Sequence, residues 1–307
     1  MPEAVEALLA KDLVVVTGKG GAGKTTVAAA LGLAAAARGR RVVVAEVAAR
    51  DELARALAGD ASEPFVERLV APGLHHVSID PQHAMEEYLV DQLPARALAE
   101  VLVRSRLFTY LAAATPGLRE LLTMGKVWEL AQPERRTPGA SPYDLVVLDA
   151  PATGHGLALL GAPRTFADAA RVGPISRQGR TIHEMLSDRT RTGVVAVAAP
   201  EELPVNEALA LRDALRDRLG LSLDHVVLNA VLPDRLTAAE AEALETAGGT
   251  RSVRVARHHH RRARAQNTQA ARLRRGLAGQ VPLTTLPYLF RHELGAADLS
   301  QLAGRFA

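Results

Sequence analysis

One run of eight residues, Gly18-Lys19-Gly20-Gly21-Ala22-Gly23-Lys24-Thr25, constrains this chain more than any other. It matches the pattern G-x-x-x-x-G-K-[ST]. Its glycines permit backbone angles that aim successive N–H groups inward at an anion. The flanks fit the same geometry. An apolar run at 13–16 reads as a buried strand, and the Ala- and Leu-rich stretch 25–39 reads as a helix ending near Gly39. A second apolar run, 42–45, follows. Strand, helix, strand in this order is a βαβ unit, and it implies a parallel sheet.

Further apolar runs extend that sheet, at 74–79, 145–148, 194–198, 225–228 and 283–286. They do not alternate with polar residues, as expected for strands covered on both faces. Helices are predicted between them, for example at 204–219 and 296–302. Two Leu/Ala-rich stretches, about 82–130 and 162–190, lack strand signals and read as an inserted helical subdomain. The expected architecture is α/β: a mostly parallel sheet flanked by helices, one phosphate-loop domain over 11–307.

The chemistry follows from the residue types. The helix after the loop adds its positive N-terminal end to the loop amides. Lys24 supplies a point charge for phosphates, and Thr25 a hydroxyl for Mg²⁺, which otherwise prefers water and phosphate oxygens. Thr26 completes the candidate phosphate set. Tyr143-Asp144-Leu145-Val146-Val147-Leu148-Asp149 places a carboxylate at a strand end, where it can hold Mg²⁺. The expected ligands are therefore ATP or ADP with Mg²⁺, with Lys24 and Asp149 in the catalytic set.

Composition narrows the alternatives. The 307 residues include no cysteine, which excludes disulfides, thiolate metal sites and cysteine nucleophiles. No apolar run approaches the ~20 residues that span a bilayer. The first residues, MPEAVEALLAKD, lack a basic secretory n-region, so a cytoplasmic location is expected. Nine arginines and no acids fall within 251–275. Without interleaved aromatics the stretch reads as a solvated helix face, and no sequence-specific nucleic acid is expected.

The second lysine, Lys19, gives K-G-G-x-G-K-T-T, which resembles the deviant Walker A motif of the SIMIBI class of P-loop NTPases. That resemblance implies that Lys19 crosses a dimer interface to a partner's nucleotide. Asp149-Ala150-Pro151-Ala152-Thr153-Gly154-His155-Gly156-Leu157-Ala158-Leu159-Leu160 resembles the switch II of the arsenite/tail-anchor (ArsA/GET) ATPase family, with Pro and Ala transposed and Ala158 in place of an arginine. Thr115-Pro116-Gly117, Ala199-Pro200-Glu201-Glu202, Val226-Val227-Leu228-Asn229 and the 287–295 segment beginning Pro287-Tyr288 are similar to further family segments. The last two imply adenine contacts by Asn229 and by the loop at Pro287 and Tyr288. His155 reads as a structural switch residue.

The chain also departs from that family. No D-P-A-H follows the second strand, so Glu46, with Asp51 as second choice, is the candidate for orienting the attacking water. Ala256 and His259 stand where eukaryotic members carry a zinc-clasp cysteine pair, so no zinc clasp is expected. His258, His259 and His260 read as exposed. The resemblance implies a homodimer, or a heterodimer with a paralogue, whose nucleotide-driven motion acts on a hydrophobic or tail-anchored client or a membrane partner. A ParA/MinD-like positioning ATPase and a weakly active regulatory subunit stand as alternatives.

Overall fold

Runs of Val, Leu and Ala form strands here because both of their faces are covered. β1 (Leu13–Gly18), β2 (Val42–Val47) and β6 (Thr192–Ala198) are buried at every residue. In the computed structural model, residues 2–47, 51–59, 63, 65–92, 115–137, 139–169 and 173–307 are described. The remaining strands are β3 (Arg68–Ala71), β4 (Leu74–Ile79), β5 (Leu145–Ala152), β7 (His225–Val231) and β8 (Leu283–Pro287). They form one sheet in the order β3-β4-β2-β5-β1-β6-β7-β8. Every pairing is parallel except β3 with β4.

The sequence reading missed β3. Its one buried residue is Val70, so this short antiparallel edge strand carries almost no apolar signal. β5 was expected to end near its aspartate but continues to Ala152, which pairs with Gly18.

Helices cover both faces. On one face lie α1 (Pro2–Leu9), α2 (Lys24–Ala36), α3 (Glu52–Ala58) and α11 (Ala296–Ala303), sharing a core with Val14, Val16, Val44 and Val147. α2 stops three residues before Gly39, whose φ of 79° is the left-handed geometry of a helix stop. α4 (Pro81–Gln92), α5 (Leu118–Leu130), α6 (Thr153–Ala169), α7 (Pro174–Ser187) and α8 (Glu202–Ala214), with a π turn at Leu215–Leu219, precede β7. α9 (Ala238–Thr246) and α10 (Arg251–Leu277) follow it.

Among the helices expected to form a subdomain, α5, α6 and α7 send Leu121, Met124, Leu160 and Ile182 into the same core as Val15, Val43 and Leu148. A separate small cluster joins Ala84, Met85 and Leu89 of α4 to Leu122 of α5. The rest of that expected insertion, 93–114, lies outside the described residues. No helix of the described residues is long and apolar enough to cross a membrane.

α10 holds the arginine-rich stretch. Ala263, Gln266, Ala270, Leu273 and Leu277 face inward, and Gln266 Oε1 accepts the N–H of Leu232 at 2.8 Å, tying the helix to the end of β7. Arg257 and Arg261 turn to Glu245. Of the three histidines only His258 is exposed. His259 lies 3.1 Å from the Pro233 carbonyl oxygen, and His260 lies 3.8 Å from Asp234, because the helix packs against the loop that leaves β7.

Candidate functional site

The connection from β1 runs to β2 on one side, while the later strands β6, β7 and β8 lie on the other. A sheet wound in two directions opens a crevice at the carboxyl ends of its central strands. The glycine-rich loop stands there. Gly18 has φ 146°, and a Cβ at that position would meet the Val197 carbonyl oxygen of β6 at 2.2 Å. Backbone of the neighbouring strand therefore demands glycine. Gly21 and Gly23 have φ values of 79° and 88°. Nothing lies within 4 Å of a Cβ built on Gly20 or Gly21, so the loop presents open backbone there.

α2 begins at Lys24, with Gly23 as its N-cap and no side chain capping it. Its first amides are thus available to an anion, with the helix dipole behind them. The Lys24 ammonium lies 3.3 Å from the Lys19 carbonyl oxygen, folded over the loop, and Ala22 N–H closes onto the same carbonyl at 3.2 Å. Thr25 Oγ1 donates to Asp149 Oδ2 at 2.6 Å. Asp149 is 1% exposed and sits on β5 between Val16 of β1 and Glu46 of β2. Thr26 stands on the first turn of α2, close to Gly23. The structure thus brings Thr25 and Asp149, the two expected metal-holding groups, into contact. Their oxygens suit Mg²⁺, which completes its octahedron with waters and phosphate oxygens.

Lys19 points away from the loop, and its ammonium pairs with Glu207 of α8 at 3.0 Å. Both side chains are about one-third exposed (30% and 33%), at a concavity also lined by Gly20, Thr153, Gly154 and Arg218.

Glu46 is the penultimate residue of β2, in register with Asp149 of β5, and is 0% exposed. His76 Nε2 of β4 lies 2.7 Å from Glu46 Oε2, and the Leu53 N–H of α3 donates to that same oxygen at 3.2 Å. Asp51 stands at the N-cap of α3 and pairs with Arg55 at 3.1 Å. Residues 48–50 between them lie outside the described residues.

Asn229 is held against the loop. β7 runs on to Val231, and Asn229 Nδ2 donates to the Ala22 carbonyl at 3.0 Å. Its amide buttresses the phosphate loop. Pro287 ends β8 in register with Val231, and Tyr288 N–H donates to the Val231 carbonyl at 2.9 Å. The Tyr288 ring is 41% exposed and meets Phe290 edge-on.

Three contributors escaped the sequence reading. Gly156 lets α6 approach β1, since a Cβ there would meet Thr17 Oγ1 at 2.6 Å. The G-H-G spelling was its signal. Glu207 and His76 carried none, because their roles depend on strand order and helix packing.

The sequence profile of the anion-transporting ATPase family matches residues 11–178 and 168–257 of this chain. The chain is 32% identical over 247 residues to the ATPase BagA of Mycobacterium tuberculosis, covering 78% of this chain and 71% of that protein. It is 27% identical over 253 residues to an arsenical pump-driving ATPase of Acidiphilium multivorum, covering 74% of this chain and 40% of the pump protein. An arsenical pump-driving ATPase of Escherichia coli matches at 27% over 241 residues, covering 71% of this chain and 39% of that protein.

Proposed function

The chain belongs to the anion-transporting ATPase family, and from that membership we propose that it binds and hydrolyses ATP with Mg²⁺ at residues 18–26. The Thr25–Asp149 contact carries this reading: a hydroxyl at the start of α2 and a buried carboxylate on β5 meet at 2.6 Å beside an uncapped helix N-terminus. The amides of residues 18–25 and the Lys24 ammonium hold the phosphates. Thr25 and Asp149 would hold the metal, which when bound would supply positive charge beside the phosphates. Asn229, Pro287 and Tyr288 border the base. Transfer of a phosphoryl group to water needs mainly positioning and charge, and this site supplies both.

The pump relatives are more than twice as long as the segment matched here. In the reading proposed here a second copy or a paralogue supplies a facing nucleotide unit, and Lys19 reaches across to its nucleotide. To do so Lys19 leaves Glu207. A part-exposed ion pair is worth only ~0–1 kcal/mol, so Glu207 biases this step without blocking it. The dimer motion then acts on a hydrophobic client or a membrane partner, in the cytoplasm.

Phosphate release and sedimentation test this reading together. The wild type should hydrolyse ATP and dimerise with Mg·ATPγS. Lys19→Ala should still bind nucleotide yet remain monomeric. Equal dimerisation by that variant would remove Lys19 from the interface, and absence of ATP turnover in the wild type would remove the ATPase assignment.

A further inference from the structure

We propose that His76 is a positioning residue: it fixes Glu46, and through Glu46 the start of α3, beside the metal-holding end of β5. The proposal rests on the nucleotide reading above.

The first observation is a cap supplied from a neighbouring strand. The amides of a helix's first turn need acceptors. Asp51, the N-cap residue of α3, makes no side-chain cap and turns to Arg55. Glu46 Oε2 takes the Leu53 N–H in its place. A carboxylate is well suited to that position, because it also meets the positive end of the helix.

The second observation is the other oxygen. Glu46 Oε1 is buried and has no hydrogen-bond partner among the described residues. A buried carboxylate oxygen left so calls for a reason. Strand register supplies one. Glu46 is paired with Asp149, and paired residues on adjacent strands project to the same face. The orphan oxygen therefore shares a strand end with the carboxylate that takes the Thr25 hydroxyl. It is an acceptor for a water that arrives with Mg²⁺ and nucleotide.

A glutamate is flexible, so an oxygen with that task needs its partner oxygen pinned. His76 and Leu53 pin it from two elements, β4 and α3. His76 and Glu46 are each 0% exposed, so neither is drawn to bulk water. Catalytic placement is sensitive at about 1 Å. In this arrangement His76 acts through Glu46.

The test uses His76→Phe, which keeps a planar ring without a donor, and His76→Gln, which keeps a donor. Hydrogen exchange is followed over 18–26 and 51–58 with and without Mg·AMP-PNP, alongside steady-state ATP turnover. In the wild type, Mg·AMP-PNP should protect both segments. In His76→Phe, protection of 18–26 should persist while protection of 51–58 is lost, with kcat down about tenfold and KM within about twofold. His76→Gln should recover much of both. A His76→Phe protein that melts earlier but keeps wild-type protection of 51–58 and wild-type kcat would reduce His76 to core packing and overturn the proposal. Wild-type protein with no protection of 18–26 would instead overturn the nucleotide reading on which it stands.

Discussion

Gly23→Ala probes how the phosphate loop is braced. Gly23 has φ 88°, and an added Cβ would lie 2.2 Å from Asn229 Nδ2. Two penalties follow. An L-residue in left-handed geometry costs roughly 1–2 kcal/mol. Asn229 must also move, giving up its 3.0 Å bond to the Ala22 carbonyl. Losing that bond with the amide still buried costs about 1–3 kcal/mol. Alanine narrows the unfolded ensemble, which offsets about 0.4–1 kcal/mol. The net expectation is a loss of about 1–5 kcal/mol. Urea unfolding of the nucleotide-free protein, followed through its single tryptophan, Trp128, measures it. Asn229→Ala removes the atom that the new methyl would strike. In that background Gly23→Ala should cost about 1–2 kcal/mol less than in the wild type, because the two positions share one contact. Additivity within ~0.5 kcal/mol would show that Asn229 does not brace the loop, and the argument from this contact would fail.

Two further expectations concern groups away from the loop. His225 is 1% exposed, with Nε2 2.9 Å from Thr284 Oγ1, and burial pushes its pKa down from 6.5 to about 4. Between those values the unfolded chain takes a proton that the folded ring refuses. Stability is thus fully present above pH 6.5 and falls toward pH 4, by up to ~1.4 kcal/mol per pH unit from this group. His225→Gln should flatten that part of the pH–stability curve, and an unchanged slope would clear His225 of the effect. Arg135, with a side chain 1% exposed, bridges Glu67 at 2.6 Å and Glu129 at 2.8 Å, and Tyr143 donates to Glu67 at 2.7 Å. This network pins the loop after α5 to the β3 edge, and Arg135→Met should cost about 1–3 kcal/mol, because Glu129 keeps Lys126 and Glu67 keeps Tyr143 while both lose their guanidinium. A loss below ~1 kcal/mol in thermal or urea unfolding would show that water already compensates them.

The parts of this fold that showed in the sequence are those with a local cause. Apolar runs at 13–16, 42–45 and 145–148 marked buried strands, because strands covered on both faces need no alternation. The glycine-rich loop and the strand-end position of Asp149 were legible because each has a local cause: glycine for positive φ, and an apolar run that stops at a carboxylate. That Thr25 and Asp149 meet follows once both are placed on neighbouring elements of one crevice. What the sequence hid depends on which strands become neighbours. β2 lies between β4 and β5, so Glu46 is flanked by His76 on one side and Asp149 on the other, although their sequence separations are 30 and 103 residues. Asn229 was read toward the base; that its Nδ2 also braces the Ala22 carbonyl is set by how β7 approaches the loop. Lys19 was read as reaching outward, and α8 packing provides it with Glu207 first.

The central claim is that residues 18–25, with Thr25 and Asp149, form a Mg·ATP site. Equilibrium titration with a fluorescent ATP analogue, with and without Mg²⁺, tests it on wild type, Lys24→Ala and Asp149→Asn. The wild type should bind, with Mg²⁺ tightening the complex at least about tenfold, or ~1.4 kcal/mol. Asp149→Asn should lose that Mg²⁺ gain, and Lys24→Ala should lose most binding in either condition. Wild-type affinity in Lys24→Ala, or an unchanged Mg²⁺ gain in Asp149→Asn, would contradict the claim.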